Sequence, residues 1–310
     1  MATGSEVKLM KEERSMRLMF VIITLVNAGC GNDGQTNPPV SESSRLQFGQ
    51  PQKVTVSGYG GDIMEPFLSR DGSTLFFNNL NDPSVNTNLH FADRINDSAF
   101  QYRGEVRGVN TGASEGVPSL DSTNTLYFVS TRNYDQTFST IYTGRFGGDS
   151  VSNVQLVSGI SRQQFGWANF DVEVSKDGNF LYFVDGRYDQ NGGPYEADIV
   201  LAEKKNGIFQ RSSNQAFLEN INSDALEYAA CVSSNMLELY FTRVGALSPA
   251  ISGIYVATKN SVDQPFNQPY KIDTISGFVE APTISPDDRI IYYHKKENGK
   301  FVLYMVRKAR

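Results

Sequence analysis

A short phrase recurs five times along this chain, and no other feature limits its fold as strongly. It reads Glu65-Pro-Phe-Leu-Ser-Arg-Asp-Gly-Ser-Thr-Leu-Phe-Phe77, then Glu115-Gly-Val-Pro-Ser-Leu-Asp-Ser-Thr-Asn-Thr-Leu-Tyr-Phe128. It returns as Asp171-Val-Glu-Val-Ser-Lys-Asp-Gly-Asn-Phe-Leu-Tyr-Phe183, as Ala229-Ala-Cys-Val-Ser-Ser-Asn-Met-Leu-Glu-Leu-Tyr-Phe241 and as Ala281-Pro-Thr-Ile-Ser-Pro-Asp-Asp-Arg-Ile-Ile-Tyr-Tyr293. The shared serines, Ser69, Ser119, Ser175, Ser233 and Ser285, are spaced by 50, 56, 58 and 52 residues. Repeats of that length, built from short strands and turns, stack into a β-propeller.

Each copy divides into four strands. Strand a precedes the serine, and an Asp-Gly turn suited to a two-residue hairpin follows it. Strand b is the aromatic triplet, such as Leu181-Tyr-Phe183. Such continuous apolar runs fit a sheet covered on both faces, as a blade between two neighbours is. Strand c recurs as Asp198-Ile-Val-Leu-Ala202 and Gly253-Ile-Tyr-Val-Ala257. The fifth copy ends after strand c, yet an orphan strand d, Phe48-Gly-Gln-Pro-Gln-Lys-Val54, stands at the front. It matches Phe266-Asn-Gln-Pro-Tyr-Lys-Ile272 of the fourth copy. The reading is therefore all-β: a five-bladed propeller over residues 46–310, closed by the N-terminal strand completing the last blade. Closure removes the unpaired edges of an open array.

The Ser-Arg-Asp-Gly72 and Ser-Pro-Asp-Asp288 turns, with the Leu-Tyr-Phe strand after them, resemble TolB-type, WD-like propeller repeats. Copies two and four depart at the turn, with Leu120-Asp-Ser122 and Ser234-Asn-Met236. The resemblance implies a fold and leaves function open. TolB itself has six blades and a further N-terminal domain, for which this chain lacks room.

The N-terminal stretch is a different kind of text. Lys8, Lys11, Arg14 and Arg17 precede the apolar run Leu18–Val26, which ends at Asn27-Ala-Gly-Cys30. A basic region, a short apolar run and small residues read as an export signal over residues 1–30. Its end resembles the lipobox of bacterial lipoproteins, which implies lipidation at Cys30 and a place in the bacterial cell envelope, periplasmic or outer-membrane. Asn27 stands where that family carries Leu. Residues 31–45 read as a flexible tether. With Cys30 lipidated, only Cys231 remains, so no internal disulfide holds the domain.

The net charge of −6 argues against nucleic acid as a partner, since phosphate binding needs clustered cations. Only His90 and His294 are present, which excludes a His-rich metal site. Loops d–a and b–c vary between copies while the a–b turns stay nearly constant, so a site is expected on the variable face. An acidic residue precedes strand a in every copy: Glu65, Glu115, Asp171, Glu227 and Glu280. These read as a loose ring of carboxylates at the channel mouth, with Asp62, Asn169, Tyr228, Arg187 and Arg243 as neighbouring ligand-binding candidates. Arg132, Arg187 and Arg243 are placed to pair with that ring. Trp167, the only tryptophan, suits stacking on a sugar or anchoring a protein; its other reading is a plug in the channel.

Three uses of the ring follow. It caps backbone amides or pairs with arginine; it binds a polyol or a hard cation such as Ca²⁺; or it hydrolyses glycosides. Five-bladed glycosidases of the arabinanase and invertase type place axial carboxylates as acid and base or nucleophile, which would cast Glu65, Glu115 and Asp171 in those roles. Their diagnostic motifs are absent. The run from Asp185 to Gly193 resembles a Ca²⁺ loop without its closing acid. The sequence thus reads as a monomeric, lipid-anchored, non-catalytic module that binds a protein or glycan of the cell envelope, with a glycosidase-like enzyme as the alternative.

Overall fold

The computed structural model describes residues 45–82, 85–245 and 251–309. The export signal, Cys30 and nearly all of the tether lie outside them. Among the described residues no helix is long and apolar enough to cross a membrane.

Five sheets form the five blades. The first holds β3 (Met64–Leu68), β4 (Thr74–Asn78), β5 (Leu89–Asn96) and β6 (Ala99–Glu105). The second holds β7 (Glu115–Leu120), β8 (Thr125–Ser130), β9 (Ile141–Gly147) and β10 (Ser150–Leu156). The third holds β11 (Trp167–Val174), β12 (Phe180–Asp189), β13 (Gly192–Lys205) and β14 (Ile208–Arg211). The fourth holds β15 (Leu226–Val232), β16 (Glu238–Val244), β17 (Ser252–Thr258) and β18 (Tyr270–Lys271). The fifth holds β19 (Val279–Ile284), β20 (Ile290–Glu297), β21 (Lys300–Arg307) and the N-terminal β1 (Gln52–Lys53). The inner strands β3, β7, β11, β15 and β19 pack side by side around the axis, and β19 returns to β3.

The ring closes as the sequence implies. β1 pairs antiparallel with β21, with Gln52 opposite Met305 and Lys53 opposite Tyr304. Gly49 and Val54 extend this seam, their amides donating hydrogen bonds to the Arg307 and Leu303 carbonyls. One element was not foreseen. β2 (Thr55–Ser57) continues past the seam and pairs in parallel with β6 of the first blade. The N-terminal segment therefore stitches the last blade to the first on both sides of the junction.

The aromatic triplet explains how blades stack. Alternation along a strand sends neighbouring side chains to opposite faces. Tyr182 thus enters the core shared with the fourth blade and Phe183 the core shared with the second. Tyr240 and Phe241 divide in the same way, as do Tyr292 and Tyr293. Each of the five apolar clusters fills one junction, and burying one such ring contributes about 2–3 kcal/mol.

The a–b turn is a four-residue connection, rather than the expected two-residue hairpin. Ser69 N–H bonds the Thr74 carbonyl, and Arg70 to Ser73 form the loop. The Ser69 hydroxyl accepts the Thr74 amide and donates to Asp71. Ser175 and Ser285 act identically, and Ser233 does so with Asn235. In the second copy this anchor is Asp121, whose carboxylate accepts the Thr123 and Thr125 amides. The true equivalent of Ser69 is thus two residues beyond Ser119. Realigning the second copy in this way changes how its acidic residue relates to the others.

Candidate functional site

Every inner strand carries a bulge four residues before its turn anchor. The bulge residues are Glu65, Val117, Asp171, Ala229 and Ala281. Four of them, all but Asp171, adopt positive φ near 50°. That conformation strains a residue with a Cβ, so it needs support. The neighbouring blade supplies it by holding the bulge amide. Asn78 Oδ1 accepts from Val117, Asp171 Oδ2 from Ala229, and Thr242 Oγ1 from Ala281. His294 Nδ1 accepts from Glu65 across the closure junction. Asn78, Thr242 and His294 occupy one repeat position, directly after the aromatic triplet. The second blade has Val129 there, with no acceptor, and the bulge it faces is the one without a left-handed residue.

This frame turns three carboxylates toward the axis. Glu65, Asp171 and Glu280 line a cavity of about 70 Å³, together with Phe170, Tyr188 and Tyr228. His294 bridges Glu65 and Glu280. Its Nδ1 accepts an amide proton, so its Nε2 carries hydrogen and donates to Glu280 Oε2 at 3.1 Å. The Tyr228 hydroxyl donates to the other oxygen of Glu280. Burial pushes the Glu65 carboxyl up to about 8, and Asp171 and Glu280 add to the shift. Part of Glu65 still reaches the cavity, but protein surrounds it on every side, and that governs its solvation. Burial likewise holds Asp171 well above the ordinary carboxylate range, against the pull of the Ala229 amide.

A roof covers this cluster. The connection between β12 and β13, which contains the segment from Asp185 to Gly193 that resembles a Ca²⁺ loop, is an extended hairpin. Its Tyr188 and Pro194 line the cavity, and the Tyr188 amide is tied to the Gly166 carbonyl. Gly186 makes the fold-over feasible, since a Cβ there would stand 2.6 Å from the Phe170 ring. Among the described residues no cluster of three or more His, Cys, Asp or Glu is arranged to hold a metal ion.

The remaining predicted residues lie elsewhere. Glu115 and Glu227 stand two positions before the bulge, so they point into their own blades and are fully buried. Glu115 accepts from Ser130, Thr111 and Arg132. Glu227 accepts from Ser223 and from Arg243 at 2.6 Å. The five-membered ring thus resolves into three axial acids and two internal ion pairs. Arg187 does not meet an axial acid; it pairs with Glu196 and lies over Tyr195. Asn169 bonds Asp185, whose carboxylate also binds Arg162 and Arg211. Asp62 accepts the Phe301 amide, a role in the scaffold. Trp167 does not plug the channel: it is half-buried at the rim, with the Arg162 guanidinium 3.8 Å from its ring centroid.

Sequence reasoning missed His294 and Tyr188 as parts of the cluster. It also missed the floor of the channel. There Arg70 reaches from the first blade to Glu173 of the third at 2.9 Å, and Ser119 donates to the same carboxylate at 2.7 Å. The signal was present: Glu173 is a charge set between Val172 and Val174 of a buried strand.

No protein-family model matches the sequence, and no curated protein matches it. Solved structures do. TolB from Acinetobacter baumannii is 14% identical at a TM-score of 0.44, covering 81% of this chain, which spans 55% of that one. A glycoside hydrolase is 10% identical at 0.59, covering 88% of this chain and 97% of its own. The catalytic domain of the Coprinopsis cinerea GH62 α-L-arabinofuranosidase is 12% identical at 0.52, covering 86% and 97%. At these identities the likeness is one of fold.

Proposed function

We propose that the protein is an exported, lipid-anchored propeller that acts without catalysis, binding a protein or glycan of the cell envelope through its variable loop face. One observation carries this reading: the axial acids are engaged by neighbouring blades beneath a cavity of only about 70 Å³. Pockets that enclose an organic ligand run to about 300–1,000 Å³. A few waters fit here; a glycosyl unit in a reactive pose does not. The loop face around the roof instead exposes Phe165 and Tyr195, 53% and 45% accessible, near half-buried Trp167. Aromatic rings so placed suit a sugar face or a protein anchor. The test pairs two assays. Purified protein should turn over no aryl glycoside or arabino-oligosaccharide, and should bind isolated envelope fractions with a loss of tenfold or more in Phe165→Ala/Trp167→Ala. Turnover that disappears in Glu65→Ala or Asp171→Ala overturns the reading.

One observation favours the alternative, a glycosidase-like enzyme. Glu65 and Asp171 are both biased toward the protonated form, as a general acid at neutral pH must be. That chemistry requires the β12–β13 hairpin to lift and admit substrate. Crosslinking the hairpin to its neighbour would then abolish turnover, whereas envelope binding through the rim would survive.

A further inference from the structure

Another cavity lies away from the axis, on the outer side of the ring. A cleft of about 450 Å³ opens at the outer rim between the second and third blades, near the a–b and c–d turns. Its volume falls in the range of ligand pockets. The floor is aromatic, with Tyr127 and Phe209 edge to face at 5.9 Å. The walls are cationic: Arg145 stands on β9 and Lys204 on β13, and no Asp or Glu lines the cleft. This is unusual for a chain of net charge −6. Ten of the thirteen described arginines sit in ion pairs, and Arg145 is among the three that do not. Among the described residues Lys204 has no carboxylate partner; its ammonium lies 4.7 Å from the Phe209 ring centroid. The side chains of Asn153 and Gln155, on the same wall, hold no hydrogen bond among the described residues.

The contrast with the axis decides what each cavity can do. Around the axis, charges and amides are consumed by contacts between blades. In this cleft two cations and two amide side chains face an open, aromatic-floored volume with their bonding capacity unspent. We propose that the cleft binds an acidic sugar, a uronic-acid unit of a glycan. Arg145 would take the carboxylate, in the forked geometry that guanidinium offers. Asn153 and Gln155 would meet hydroxyls, and the apolar face of the sugar would lie toward the aromatic floor. The assignment stands independently of the loop-face reading, because the cleft shares no residue with the axial cavity and holds none of Phe165, Trp167 and Tyr195.

The test is calorimetric titration with trigalacturonate, with trigalactose as the neutral control. Binding to trigalacturonate is expected to be at least tenfold tighter than to trigalactose and to weaken with added salt. Arg145→Ala and Lys204→Glu should each weaken it tenfold or more. Arg145 is exposed and forms no ion pair or side-chain hydrogen bond among the described residues, so the melting temperature of Arg145→Ala should match that of the wild type, which separates lost binding from lost folding. Equal binding of the two oligosaccharides, no binding of trigalacturonate at 10-fold molar excess over millimolar protein, or an unaffected Arg145→Ala overturns the proposal. So does tighter binding of an oligoglutamate peptide, which would assign the cleft to acidic protein segments.

Discussion

Removing the charge at Glu65 should make the protein less sensitive to alkali. Its carboxyl is raised from an ordinary 4.5 to about 8, chiefly by burial. A group whose pKa is higher in the folded state favours folding while protonated. The contribution is therefore complete below about pH 4.5 and is lost as pH rises through about 8. At about 1.4 kcal/mol per pH unit, the full displacement sets a ceiling of roughly 5 kcal/mol. Glu65 lines the cavity and is not sealed from it, so roughly 2 kcal/mol is the expected effect. For a domain of this size that is a shift of about 4–8 °C in Tm. Glu65→Gln keeps the shape and an oxygen for the Asn81 amide, which now bonds the carboxylate at 3.3 Å, and cannot ionise. The assay is Tm by calorimetry or circular dichroism between pH 5 and 9. The wild type should lose stability across that window, and Glu65→Gln should lose about 4–8 °C less. Parallel curves, separated by a constant offset, would refute the claim that a buried, protonated Glu65 couples to folding.

Three further outcomes follow from the same contacts. Deleting residues 46–58 removes β1 and β2, and the domain should fail to fold cooperatively; Val54→Asp, at a position 4% exposed, should cost about 3 kcal/mol or more in a denaturant titration. Arg243→Ala strands the fully buried Glu227 and should cost about 3–5 kcal/mol, while Arg243→Met combined with Glu227→Leu should recover most of that loss in the same titration. Burial pushes the Cys231 thiol far up, so in a Cys30→Ser background it should react with a thiol reagent only after unfolding, and a stoichiometric reaction with native protein would contradict the packing.

The sequence by itself determined the architecture. Five copies of one phrase, each with two adjacent aromatics, imply blades covered on both faces, because alternation along a strand must send Tyr182 and Phe183 to different neighbours. The orphan Phe48–Val54 strand implied closure, because a terminal blade lacking strand d leaves an open edge. These are local or repetitive properties, and spacing records them. The site was legible only as a list of acids. Glu65, Glu115, Asp171, Glu227 and Glu280 look alike in the chain, yet a bulge sends each to a destination set by its offset. One or two residues of offset separate an axial acid held by His294 from an internal partner of Arg243. That offset is counted from a turn anchor, and the anchor moved from serine to Asp121 in the second copy, a shift marked in the sequence only by one extra residue between Ser119 and Phe128. The roof over the axis, the Arg70–Glu173 floor and the cationic cleft all join residues of different blades. Only the closed ring brings such residues together, so tertiary structure alone decided which carboxylates share a cavity and which cations were left without a partner.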